Sequence, residues 1–220
     1  MTLGGARVPA ARFDVVIPTT GRTSLAAVLE RLDGAGWQRL IVVDDRRGGP
    51  SIALPAAAEL LRCAGRGPAA ARNIGWRAAT ARWVAFLDDD VLPPADWGQR
   101  LTADLAAAGP RLAASQGRVR VPLPRERRPT DWERNVATLH DARWITADLA
   151  VRRAALADVG GFDERFPRAY REDADLALRL RAAGWDLGRG GREVVHPVAP
   201  AGPWVSVAKQ AGNADDALMA

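Results

Sequence analysis

The chain has 220 residues, 48% hydrophobic and 26% charged, an ordinary globular balance for one domain or two small ones. No run approaches 18 uninterrupted apolar residues, so no transmembrane helix is expected, and the single Cys63 leaves no intrachain disulfide and no cysteine metal cluster. The net charge of +5 is almost all arginine, with Lys209 the only lysine, and reads as the bias of a GC-rich bacterial genome more than as a nucleic-acid footprint.

Excess arginine would serve a phosphate-bearing substrate or an anionic membrane surface equally well. The N-terminal stretch before Phe13 holds no apolar segment long enough for a signal peptide. A cytoplasmic location is the simplest expectation, with peripheral contact at the inner face of the membrane left open.

In chain order, residues 1–12 read as a tail. Phe13 to Ile17 is a short buried strand ended by Pro18. Thr19 to Ser24 is a turn, with Thr23 or Ser24 placed to cap a helix carrying Leu25, Val28, Leu29 and Leu32. Leu40-Ile41-Val42-Val43 is a second strand, followed at once by Asp44-Asp45. Glu59 to Cys63 is a third strand and Ala69 to Ala79 a helix. Trp83 to Leu87 is a fourth strand, and it runs straight into Asp88-Asp89-Asp90.

This alternation predicts an α/β fold with a mostly parallel sheet, in which ligands bind beyond the carboxyl ends of the strands. Pro18-Thr19, Asp44-Asp45 and Asp88-Asp89-Asp90 would then share one rim.

The second half is less regular. It reads as a helix from Pro94 to Ala108, a strand from Leu112 to Val121 and a Pro- and Arg-rich loop at 122–129 that could act as a lid. Asp131 to Ala142 reads as helix, Ile145 to Val151 as extended, Arg152 to Val159 and Arg171 to Ala183 as helices. Val194 to Pro197 closes the ordered-looking part, and residues 201–220 end in a helix start, with Asn213 as cap, that is cut off at Ala220. Trp37, Trp76, Trp83 and Trp185 suit the core. Trp97, Trp132 and Trp144 fall on the acceptor side, although packing is the commoner role there as well.

Three adjacent aspartates at a strand end repel one another unless something positive holds them. Carboxylates are the preferred ligands of Mg2+ and Mn2+, and such ions complete their shells with substrate phosphates. The bland alternative is an acidic turn. Glu172-Asp173 and Asp175 likewise suit the first turn of a helix, where the dipole favours negative charge.

VVIPTTGR, IVVDD, GPAAARNIGWRAA, FLDDDV and GGFDERF followed by YREDADLALRL occur in that order. Together they resemble the family 2 glycosyltransferases, from about Phe13 to His196. The resemblance implies the GT-A fold: a Rossmann-like, mostly parallel sheet with a small antiparallel acceptor-side part, in one domain over 13–200. Residues 13–93 would form the nucleotide-binding half and 94–200 the acceptor half.

It also implies an inverting, Mn2+- or Mg2+-dependent transfer from a UDP-, GDP- or dTDP-linked sugar to an acceptor hydroxyl. By position, Pro18 and Thr19 lie near the nucleobase and Asp45 accepts from a base N–H. Arg72 neutralises phosphate or braces the base loop, and Asp89 takes the ribose hydroxyls. Asp90 is the direct metal ligand, with Asp88 sharing the metal or orienting its neighbours. Asp173 is the general base, Glu172 supports it, and His196 is an added metal or diphosphate contact. Asp148 stands where many members have an asparagine, which leaves the donor sugar open.

Three other readings compete. A nucleotidyltransferase is disfavoured by the lack of a Gly-rich basic loop, and a nicotinamide-binding domain by the lack of G-x-G-x-x-G after the first strand. A non-catalytic nucleotide-sugar-binding domain, completed by a partner or a missing C-terminal part, stands as the alternative.

Overall fold

The computed structural model describes residues 12–201. The expected tail before that range, and the expected helix start at 213–220, lie outside the described residues. Among the described residues seven strands form one sheet, in the order β3-β2-β1-β4-β6-β5-β7. The strands are β1 Phe13–Thr19, β2 Leu40–Asp44, β3 Ala58–Arg62, β4 Trp83–Leu87, β5 Leu112–Arg120, β6 Asp148–Arg152 and β7 Asp186–Val195. Strands β3, β2, β1 and β4 are mutually parallel, and β5 and β7 are parallel to each other. Only β6 runs the other way, antiparallel to both β4 and β5.

The unbroken apolar runs of β2 and β4 form central strands because every residue in them is buried, with helices over both faces. Along β1 the side chains alternate. Val15 and Ile17 face a core shared with α1 (Leu25–Arg31) and α3 (Trp97–Ala106), through Leu25, Val28, Trp97 and Leu101. Val16 faces the other core, with α2 (Pro68–Ala78), α5 (Arg153–Asp158) and α6 (Glu172–Ala182), through Ala70, Trp76, Leu156, Leu176 and Leu180. Gly75 lets α2 approach that face, since a Cβ there would sit 2.3 Å from Val16 Cγ1.

Two details depart from the sequence expectation. Ser24 occupies the N-cap position of α1, but its backbone is already helical, which turns the hydroxyl away, and it makes no side-chain cap bond. The ten-residue β7 was not expected as a strand, because DLGRGGREVV is rich in Gly and charge. Its pairing with β5 over Leu112 to Arg120 supplies what propensity does not.

At 122–129, Arg127 is paired with Glu133 at 2.6 Å on α4 (Asp131–Ala137). That helix opens with a reciprocal capping box between Thr130 and Glu133.

Candidate active site

The β1–β4 register pairs Val16 with Phe86. Continued upward, it sets Thr19 beside Asp89. There the Thr19 hydroxyl donates to Asp89 Oδ2 at 2.6 Å and itself accepts from the Gly21 amide at 2.9 Å. The neighbouring strand brings Asp44 opposite Thr19. The parallel strand ends thus gather Pro18, Thr19, Asp45, Asp88, Asp89 and Asp90 on one rim. Because β6 runs backwards, its first residue Asp148 pairs with Leu87 just below the rim, with its carboxylate buried against Arg192 and Trp97.

The last strand adds the imidazole. Leu92 and Val195 exchange backbone hydrogen bonds at 2.7 and 3.0 Å. This places His196 Nε2 3.5 Å from Asp90 Oδ1. Facing the same aspartates, the Arg22 guanidinium contacts Asp90 and lies 3.5 Å from Asp89 Oδ1.

Arg72, on α2, is 2% exposed and bridges the two acidic groups of the rim. Its Nη2 donates to Asp88 Oδ1 at 3.0 Å and its Nη1 to Glu172 Oε1 at 2.8 Å. Glu172 and Asp173 open α6, preceded by Arg171 in a left-handed conformation (φ 73°). Ala174 N–H donates to Asp173 Oδ1 at 2.8 Å.

Asp45 accepts from Gly67 N–H at 3.0 Å, which ties the β2 loop to the start of α2. Asn73 lies deeper. Its amide bonds Phe162 O, Glu164 and Trp76, fastening α2 to the 162–164 turn. Trp97 is fully buried, edge-on to Phe13, and its indole donates to Asp148 at 3.2 Å. Trp97 is therefore core and not an acceptor-side surface. Two cavities of about 560 and 550 Å³ lie by the start of β5 and the end of β6, away from the aspartates.

The electrostatics follow from crowding and burial. Burial pushes Asp89 up, against the opposing Thr19 hydroxyl and Arg22 charge. Burial likewise pushes Asp173 up, opposed first by Arg72. Glu172 is driven to about 7 by burial, with Arg72 opposing and the charges of Asp173 and Asp88 adding to the rise. The upward direction prevails because burial outweighs the opposing charge of Arg72.

A carboxyl whose folded value lies above its unfolded value of about 4.3 adds stability that is full below that value and is lost as pH rises towards 7. Melting temperature is therefore expected to fall between pH 5 and 8, and Glu172→Gln to flatten that slope. Differential scanning calorimetry across this range, on both proteins, is the check.

Among the described residues no three His, Cys, Asp or Glu side chains converge as a preformed metal cage. Asp90 and His196 do offer an oxygen and a nitrogen 3.5 Å apart. Few protein donors, with the shell completed by phosphates, is the usual arrangement for Mg2+, and imidazole with carboxylate suits Mn2+. The residues present fit such an ion. Among the described residues no helix is long and apolar enough to cross a membrane.

Sequence reasoning passed over Arg22, although VVIPTTGR contains it. A cation just past the end of β1, on a rim with three aspartates, was the available signal.

Comparison with known proteins agrees with this architecture. The chain is 33% identical over 191 aligned residues to a pre-mycofactocin glycosyltransferase of Mycobacterium tuberculosis, which covers 77% of this chain and 39% of the relative. The chain thus spans well under half the length of that relative. Among solved structures, GalNAc-T7 with UDP, GalNAc and Mn2+ superposes with a TM-score of 0.65 at 15% identity, over 89% of this chain and 46% of that one. The mannosyltransferase PcManGT of Pyrobaculum calidifontis, with GDP-Man and Mn2+, gives 0.58 at 23% identity, over 89% and 59%. These likenesses bear on the fold, a GT-A type mixed α/β sheet. The model of the family "Glycosyl transferase family 2" matches residues 14–172, and the chain belongs to that family.

Proposed function

We propose that this chain moves a sugar from a nucleoside-diphosphate sugar to an acceptor hydroxyl with inversion, using Mn2+ or Mg2+. The observation that carries this reading is the buried Arg72 bridge. It holds the aspartate cluster of β4 and the Glu172-Asp173 pair of α6 at a fixed separation, one on each side of a shared rim.

In this reading residues 13–93 form the donor half. Pro18, Thr19 and Asp45 line the nucleobase end, and Asp89, held by Thr19, takes the ribose hydroxyls. Asp90 and His196 would hold the dication, with Asp88 oriented by Arg72. The bound ion would supply Lewis-acid stabilisation of charge on the departing diphosphate. Asp173 accepts the proton of the attacking hydroxyl, a task that suits a carboxylate raised above its usual range. Glu172 keeps Arg72 in place behind it. The acceptor half, 94–200, contributes the β6 entry loop at Ile145 to Ala147 and Trp144.

The test is a thermal-shift panel of UDP, GDP, dTDP and ADP, each with and without Mn2+. A ligand that binds only the folded chain raises the melting temperature, by about 2.7 kcal/mol of stabilisation at a hundred times Kd. One nucleotide is expected to give a metal-dependent shift, which names the base. Absence of any shift would sink the donor-site reading and favour a domain completed by a partner or by further chain.

A further inference from the structure

Within the metal-site reading, one group has no assigned part. Arg22 follows the Thr19–Gly21 turn, in which the Gly21 amide bonds the Thr19 hydroxyl and Gly21 takes φ +78°. That turn aims the guanidinium at Asp90 and sets it 3.5 Å from Asp89 Oδ1. The two carboxylates are well covered, 8% and 25% exposed, whereas the Arg22 side chain is 54% exposed. More than half of it already faces solvent. His196 approaches Asp90 through Oδ1, while Arg22 approaches through Oδ2, so the two flank one carboxylate.

We propose that Arg22 is the built-in counter-cation of Asp89 and Asp90, exchanged for the divalent ion when that ion binds. The repulsion among the aspartates is thus answered twice, by the protein's own cation in the free chain and by the metal in the loaded one. A guanidinium on Oδ2 and a dication on Oδ1 of the one Asp90 carboxylate repel each other at close range, and its single negative charge cannot neutralise both. The chain therefore gives up the Arg22 contacts on loading, and its affinity for bare metal is held down by that exchange.

The experiment is titration of Mn2+ alone, without nucleotide, followed by the loss of the free-ion electron paramagnetic resonance signal. Wild type, Arg22→Gln and Arg47→Gln are compared. Arg47→Gln removes the same charge from the nearby loop after β2 without touching Asp89 or Asp90, and it controls for the general field.

Arg22→Gln is expected to bind Mn2+ about tenfold more tightly than wild type, and Arg47→Gln within about twofold. Detectable binding by Arg22→Gln alone would support the exchange equally. Equal or weaker binding by Arg22→Gln overturns it, as does an equal gain by Arg47→Gln. If no variant takes up Mn2+, the metal-site reading itself falls and the exchange with it, a result distinct from the others. A melt in chelator checks that each variant is folded.

Discussion

Asp173→Asn is expected to lower kcat for sugar transfer by about a thousandfold, within the range that a positioned base contributes, while the nucleotide-dependent thermal shift persists. Asn keeps the shape and loses the proton acceptor. Asp173 can be changed with little structural penalty because it lies beside the Arg72 ladder and is not a rung of it. The guanidinium bonds Asp88 and Glu172, while the Asp173 carboxylate accepts from Ala174 N–H. An Asn oxygen can accept that bond. The lost charge at the start of α6 costs about 0.3–1 kcal/mol in dipole interaction. A merely structural Asp173 would show the opposite pattern, a lower melting temperature with kcat nearly unchanged. Single-turnover assays beside the thermal panel separate the two.

The largest effect on stability is expected at Arg192. Its side chain is fully buried between α3, β5 and β6. It donates to Asp148 Oδ1 at 2.8 Å, Asp104 Oδ2 at 3.0 Å, Ser115 Oγ at 3.0 Å and Ser115 O at 2.6 Å. Arg192→Met leaves the Asp148 carboxylate, itself fully buried, with the Trp97 indole as its remaining side-chain donor. Removing one partner of a buried pair costs about 3–5 kcal/mol. For a chain of this size that is a fall of roughly 10 °C in melting temperature. Arg192→Met with Asp148→Leu removes both charges and should recover most of the loss. If the double variant melts no higher than the single, the penalty comes from packing and not from the stranded carboxylate.

The first half of the molecule was legible because its signals are local. Apolar runs end at Pro18, Asp44 and Leu87, and period and turn residues mark the strands and helices between them. Parallel pairing then brings the polar ends together without further information. The second half was harder. DLGRGGREVV carries little strand propensity, and only its partner β5 makes it a strand. Trp97 fell on the side expected to face the acceptor, with packing the commoner role, and the helix opening near Pro94 turns it inward onto Phe13.

Arg72 shows another limit. Its helix placement was readable, but its two carboxylate partners come from β4 and from α6, sixteen and a hundred residues away. A contact of that kind is a property of the closed sheet and of no sequence window. Arg192 is alike, because its partners on α3 and β6 depend on β6 running backwards.

The Leu92–Val195 bridge also has a meaning for synthesis. Strands β1 to β4 lie within residues 13–87 and pair among themselves, so they can collapse as soon as they leave the ribosome. The imidazole that flanks Asp90 is 106 residues further on. At ordinary translation speeds it arrives roughly 5–20 s later. Through that interval Asp88 already has Arg72 and Asp89 has the Thr19 hydroxyl, while Asp90 lacks its imidazole and has the arginine that precedes it in the chain. Arg22 is already there when Asp90 emerges, so the nascent sheet carries its own neutralising charge before the rest of the rim exists.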